Sequence, residues 1–180
     1  SSFAAATVSG STVAPGVGYL FLKAPSFTLA SQSVIGNTGT SGSASPQTAD
    51  AKLRINVTAN GGDIYIPRYS ATNASSGIVA TVSVPASVTL VGDAITSDAD
   101  DGEDAAETWV IRSGTTRYIE YSSKIGTSGS VGFTTGLSTF MSVNQLNWGT
   151  TSATANTPDN NQTWGLTDFK TNAIVLEAEL

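Results

Sequence analysis

The chain has no cysteine and no histidine in its 180 residues. There is therefore no thiolate nucleophile, no imidazole base, no Ser-His-Asp triad and no disulfide, and the usual zinc and copper ligand sets are missing. Charge is scarce as well: Asp, Glu, Lys and Arg together make up 12%, about half the usual share. The eight Lys and Arg residues are scattered singly. They form no basic stripe to track a phosphate backbone, which excludes nucleic acid as a partner. No apolar run approaches the ~20 residues of a membrane-spanning helix. Glycoside hydrolysis needs two carboxylates about 5–10 Å apart across a cleft, and Asp63, Glu120, Asp159 and Asp168 stand isolated. The expectation is a protein that is not an enzyme.

Ser, Thr, Ala, Gly and Asn fill the gap, beside 39% hydrophobic residues and a net charge of −6. A hydroxyl-rich, weakly charged surface suits a secreted β protein. The first residue is Ser1, which reads as a mature chain whose signal peptide has been removed, at the cell surface or outside it. The length suits one domain, and a domain of this size hides roughly two thirds of its unfolded surface without crosslinks or metals.

The chain is organised around residues 51–69, AKLRINVTANGGDIYIPRY. Ala51, Leu53, Ile55, Val57 and Ala59 alternate with Lys52, Arg54, Asn56 and Thr58, and only a strand puts alternate side chains on opposite faces. Asn60-Gly61-Gly62-Asp63 tolerates the positive φ of a tight turn, so a hairpin into Ile64, Tyr65 and Ile66 is expected, ended by Pro67. Phe27, Leu29, Ser31 and Ser33 continue a strand after Pro25, and residues 36–48 read as a Gly/Ser loop. The alternation from Ile78 to Leu90 is interrupted at Pro85, which marks a kink, an edge or a split into two strands. Trp109–Arg112 and Arg117–Tyr121 read as a second hairpin. Val131 and Phe133 give a short strand, and the stripe from Met141 to Trp148 slips phase between Val143 and Leu146, as a bulge would cause. Residues 149–162 read as polar loop. Ile174, Leu176, Ala178 and Leu180 close the chain. About ten short strands and no helix predict an all-β sandwich of the immunoglobulin-like or jelly-roll type, with a closed barrel as the alternative.

Six of the fourteen acids fall between Asp98 and Glu107. Asp98, Asp100, Asp101, Glu103 and Asp104 are candidate oxygen ligands for calcium, although the glycine, Gly102, falls one residue early for an EF-hand loop. A solvated acidic loop is the alternative. Of the three tryptophans, Trp109 and Trp148 sit inside strand patterns and read as core. Trp164 lies beside polar loop residues and is the candidate platform for a sugar ring. Asn56, Asn73 and Asn161 begin N-glycosylation triplets, with Asn73 and Asn161 expected in loops.

Residues 51–68 (AKLRINVTANGGDIYIPR), with WGTT (148–151) and LTDFKTNAIVL (166–176), resemble segments of uncharacterised secreted immunoglobulin-like surface proteins of candidate-phylum bacteria. The quoted segments cover 33 of the 180 residues. It implies a β-sandwich at a cell surface and brings no active-site residues with it.

Residues 1–14 are small, uncharged and followed by Pro15-Gly16. Such a segment can pair within its own domain, residues 15–180. It can also leave as a donor strand, with Phe3, Ala5, Thr7 and Val8 completing the sheet of a neighbour. A head-to-tail contact of that kind does not close, so it propagates as a homopolymer. The leading expectation is a structural subunit of a pilus-like filament or surface coat. The alternative is a secreted adhesion module that binds a carbohydrate or another ligand. Calcium is the sole candidate cofactor, and no membrane span is expected.

Overall fold

A computed structural model describes residues 22–38, 46–68, 76–83, 88–102, 107–127, 137–152 and 160–176. The period-two stretch is the centre of a long strand, β2 (Pro46–Asn60). Its inner side chains, Ala49, Ala51, Leu53, Ile55, Val57 and Ala59, are 0–1% exposed. β1 (Ala24–Thr38) and β8 (Thr116–Thr127) flank it, and β5 (Val88–Ser97) pairs with β8. All three pairings are antiparallel. A second sheet holds β3 (Ile64–Pro67), β7 (Thr108–Ile111) and β6 (Asp100–Asp101), in that order. A third places β10 (Met141–Trp148) between β11 (Asn160–Gln162) and β4 (Ile78–Val82), and β12 (Ile174–Leu176) pairs with β9 (Leu137–Thr139).

The expected hairpin at 51–69 is not a hairpin. β2 pairs with β1 and β8, whereas β3 pairs with β7. The chain leaves one sheet at Asn60 and enters another at Ile64. The same holds for Trp109–Tyr121, where β7 and β8 lie in different sheets. The connection from β5 to β6 is a third crossing. Both sheets keep the same neighbour order, so the three arches β2/β3, β8/β7 and β5/β6 stack side by side. The reason is burial: β3 and β7 are buried at all four positions. A strand wrapped on both faces belongs between layers, and a glycine-rich turn serves an arch as well as a hairpin.

Backbone bonds knit the arches together. The Ala59 N–H donates to the Thr115 carbonyl at 3.1 Å, and the Gly114 N–H to the Ala59 carbonyl at 2.8 Å. Gly61 turns with φ of +76°, and a Cβ there would collide with the Leu22 carbonyl oxygen. Tyr65 exchanges bonds of 2.9 and 2.8 Å with Gly149, which joins β3 to the end of β10.

One apolar cluster draws on all four sheets, including Leu53 and Ile55 from β2, Ile66 and Ile111 from the second sheet, Met141 from β10 and Leu176 from β12. The packing is sandwich-like and all-β. Trp109 and Trp148 belong to this core, as their strand patterns predict.

Other expectations shift in detail. In β1 the register slips between Leu29 and Ser31, so the phase inverts. Val34 then follows Phe27 and Leu29 onto the core, in place of Ser31 and Ser33. β1 and β2 take both ends of the Gly/Ser loop, leaving 39–45 outside the described residues. β4 and β5 are separate strands in separate sheets, consistent with a split around Pro85. The β10 register slips between Val143 and Gln145, where the bulge was expected. The strand at Val131 and Phe133, residues 1–14, and residues 177–180 lie outside the described residues.

Candidate functional site

β1 is the end strand of its sheet. β2 lies along one edge, and among the described residues no strand lies along the other. It is 15 residues long and holds no Asp, Glu, Lys or Arg. Sheet edges are ordinarily blunted by charge, by shortness or by covering, because their bare N–H and C=O groups recruit other strands. β5, at the opposite end, is shorter, with a register slip around Gly92 and Asp93. The core is less covered at both ends: Phe27, Leu29 and Val34 on β1 and Leu90 and Ile95 on β5 are only partly buried, and Ile35 on the outer face of β1 is 65% exposed. Such an edge can accept an extended segment that supplies backbone bonds and covers these side chains. The expected donor residues Phe3, Ala5, Thr7 and Val8 lie outside the described residues.

The acidic stretch is divided by the third arch. Asp98 Oδ1 accepts the Tyr118 N–H at 2.8 Å. Asp101 pairs with Arg68. The Arg68 Nε also donates to the Thr108 carbonyl at 3.0 Å, and its guanidinium lies 5.0 Å from the Trp109 ring centroid. Asp100 stands opposite Val110 on β6, while Glu103 and Asp104 lie outside the described residues. Among the described residues no three acidic side chains converge on a point that could hold a metal ion. Asp98 and Asp101 fasten the corner.

A matching fastening at the first two arches has no sequence signal. Asp63 accepts the Ser113 N–H and an Arg112 N–H, both at 2.8 Å. The Ser113 amide, then the guanidinium, hold the Asp63 carboxyl below its usual range, and the same ion pair raises Arg112.

Of the glycosylation candidates, Asn73 lies outside the described residues. Asn161 is exposed but not in a loop: it pairs opposite Asn147 at the edge of β10. Asn56 is half-buried inside β2, between Thr28 and Tyr118.

Trp164 is 63% exposed, as expected of a platform. β11 pairs with β10 as far as Gln162 opposite Leu146. The chain then leaves the edge and returns where Lys170 bridges Ser142. The Val143 N–H donates to the Phe169 carbonyl, and the Thr171 N–H to the Met141 carbonyl, both at 2.9 Å. The excursion over residues 163–168 turns at Gly165, φ +70°, and on the Leu166 carbonyl, which accepts the Phe169 N–H. It frames an open cleft of about 560 Å³ beside Asn144. Val143 and Leu166 are its buried floor. Phe140, Ser142, Asn144, Thr163, Thr167 and Lys170 line its walls, and the Lys170 ammonium lies 5.7 Å from the Phe140 ring centroid. Sequence reasoning missed Phe140, Asn144 and Lys170. Alternation sets Phe140, Ser142 and Asn144 on one face of β10, but nothing local in sequence ties them to Lys170.

Compared with protein-family models, with curated proteins and with solved structures, the chain has no match. The resemblance of residues 51–68 therefore assigns no role to any residue of either site.

Proposed function

We propose that the protein is a non-catalytic structural subunit of an extracellular filament or surface coat, assembled by strand addition at the edge of β1 that no described strand covers. The observation that carries the reading is that edge: 15 residues, no charge, and inner apolar side chains only partly covered. Residues 1–14 match it in length and in lack of charge. A strand laid along β1 satisfies its backbone donors and acceptors and buries alternate side chains. An immunoglobulin-like sandwich at the cell surface is the fold that best suits this role, and the hydroxyl-rich composition suits the location. Deletion of residues 1–14 is expected to abolish polymers seen by light scattering and electron microscopy while leaving a folded monomer. Undiminished polymers in the deletion variant would remove the basis of the reading.

The cleft supports a second reading, a saccharide-binding adhesion module. Hydroxyl and amide side chains line the cleft, and the exposed Trp164 lies on the excursion that frames it, which is chemistry that can stack and hydrogen-bond a sugar ring. Binding to immobilised glycans, with and without a chelator, tests this reading and any calcium requirement. Retained monomers that bind no glycan would count against it.

A further inference from the structure

We infer that the cleft framed by residues 163–168 selects acidic saccharides, those carrying a uronate carboxylate; this rests on the second reading above. The net charge of the chain is −6, yet among the described residues the one charged side chain lining the cleft is a cation, Lys170. Asp168 is exposed on the same excursion but does not line it. Exposed charges are screened within roughly a Debye length of ~8 Å, so Asp168, beside the lining residue Thr167, is the acid that bears on a sugar in the cleft, and Lys170 is the charge that meets it directly. Lys170 is also held in place. Its backbone bridges Ser142, and its ammonium sits near the face of Phe140. Ser142, Asn144, Thr163 and Thr167 offer donors and acceptors for ring hydroxyls, and Trp164 lies in the chain between two lining residues. A neutral sugar would use the hydroxyls and the Asn144 amide, and a uronate would add the ion pair.

The test is titration calorimetry of the whole chain with a galacturonate trisaccharide and with the neutral galactose trisaccharide of the same linkage. The uronate is expected to bind several-fold more tightly, with the margin shrinking as salt is raised. Lys170→Gln is expected to erase the preference by weakening uronate binding roughly 3- to 5-fold, the scale of one exposed ion pair. Lys170 is exposed, so an unchanged thermal melt serves as the folding control. Equal binding of the two sugars, or a Lys170→Gln variant that keeps the preference, overturns the inference and leaves the saccharide reading standing. Binding of neither sugar overturns both.

Discussion

Tyr121 is fully buried on β8, and among the described residues its hydroxyl meets no partner of hydrogen-bond geometry. Burial pushes its ionisation up to about 12, and Ser123 lies near enough to oppose that only partly. A buried hydroxyl with no well-formed partner costs desolvation energy that is only partly returned. Tyr121→Phe is therefore expected to leave stability unchanged or raise it by about 1 kcal/mol in urea unfolding, whereas a loss of that size would reveal a partner. Asp63 is the opposite case. Its carboxylate joins two arches through Ser113 and Arg112, so Asp63→Asn should lower stability by about 1 kcal/mol near neutral pH. Because its folded ionisation is depressed, the increment is fully present above the ordinary value of 3.8 and is lost as pH falls through the folded value. Urea midpoints of the two proteins should converge in acid and diverge above about pH 4. Neither role was legible in the sequence: an Asp after two glycines reads as a turn residue, and Tyr121 reads as one more inner-face aromatic.

At the scale of strands, β2 was legible residue by residue, because one face buried and one face wet is what a period of two records. The phase slip in β10 was legible for the same reason. The pairing of strands was not. Asn60-Gly61-Gly62-Asp63 and Ser113-Gly114-Thr115 permit the chain to reverse, but they do not say whether the returning strand lies beside the first or beneath it. That choice was made by Ile64, Ile66 and Ile111, which join the main core on one face, with Tyr65 and Val110 buried on the other. The arch gives Gly61 two constraints at once, a positive φ and the Leu22 carbonyl where a Cβ would stand. Gly61→Ala is expected to cost about 1–3 kcal/mol, measured as a lower midpoint in urea unfolding. The matching change at Gly92, where φ is +64° and an added Cβ would meet no described atom within 4 Å, should cost less, about 1 kcal/mol. Equal losses at the two sites would mean that the close approach at Leu22 contributes nothing. The cleft was half legible. Trp164 stood out by its polar neighbours, whereas Lys170 joined it only because β10 is met twice along one edge by the same returning segment.

At the scale of the whole molecule, the two ends of the β1-β2-β8-β5 sheet differ. β5 has ten residues, a register slip at Gly92 and one charge, Asp93, while β1 has 15 residues, no charge and a register slip of its own between Leu29 and Ser31. An edge of that kind is expected to be occupied. A sequence can show that a leading segment is strand-like, but not which copy it pairs with, because that depends on a second molecule. The absence of cysteine makes the question direct to ask. Ala6→Cys, which alternation sets on the face opposite Phe3 and Ala5, is combined in turn with Thr28→Cys, Ser31→Cys or Ser33→Cys on the outer face of β1, the protein is oxidised, and the products are resolved on a non-reducing gel. Strand addition between copies predicts a ladder of covalent multimers for at least one pair, absent from the single variants. A disulfide closing within one chain, leaving a covalent monomer and no ladder, would contradict it.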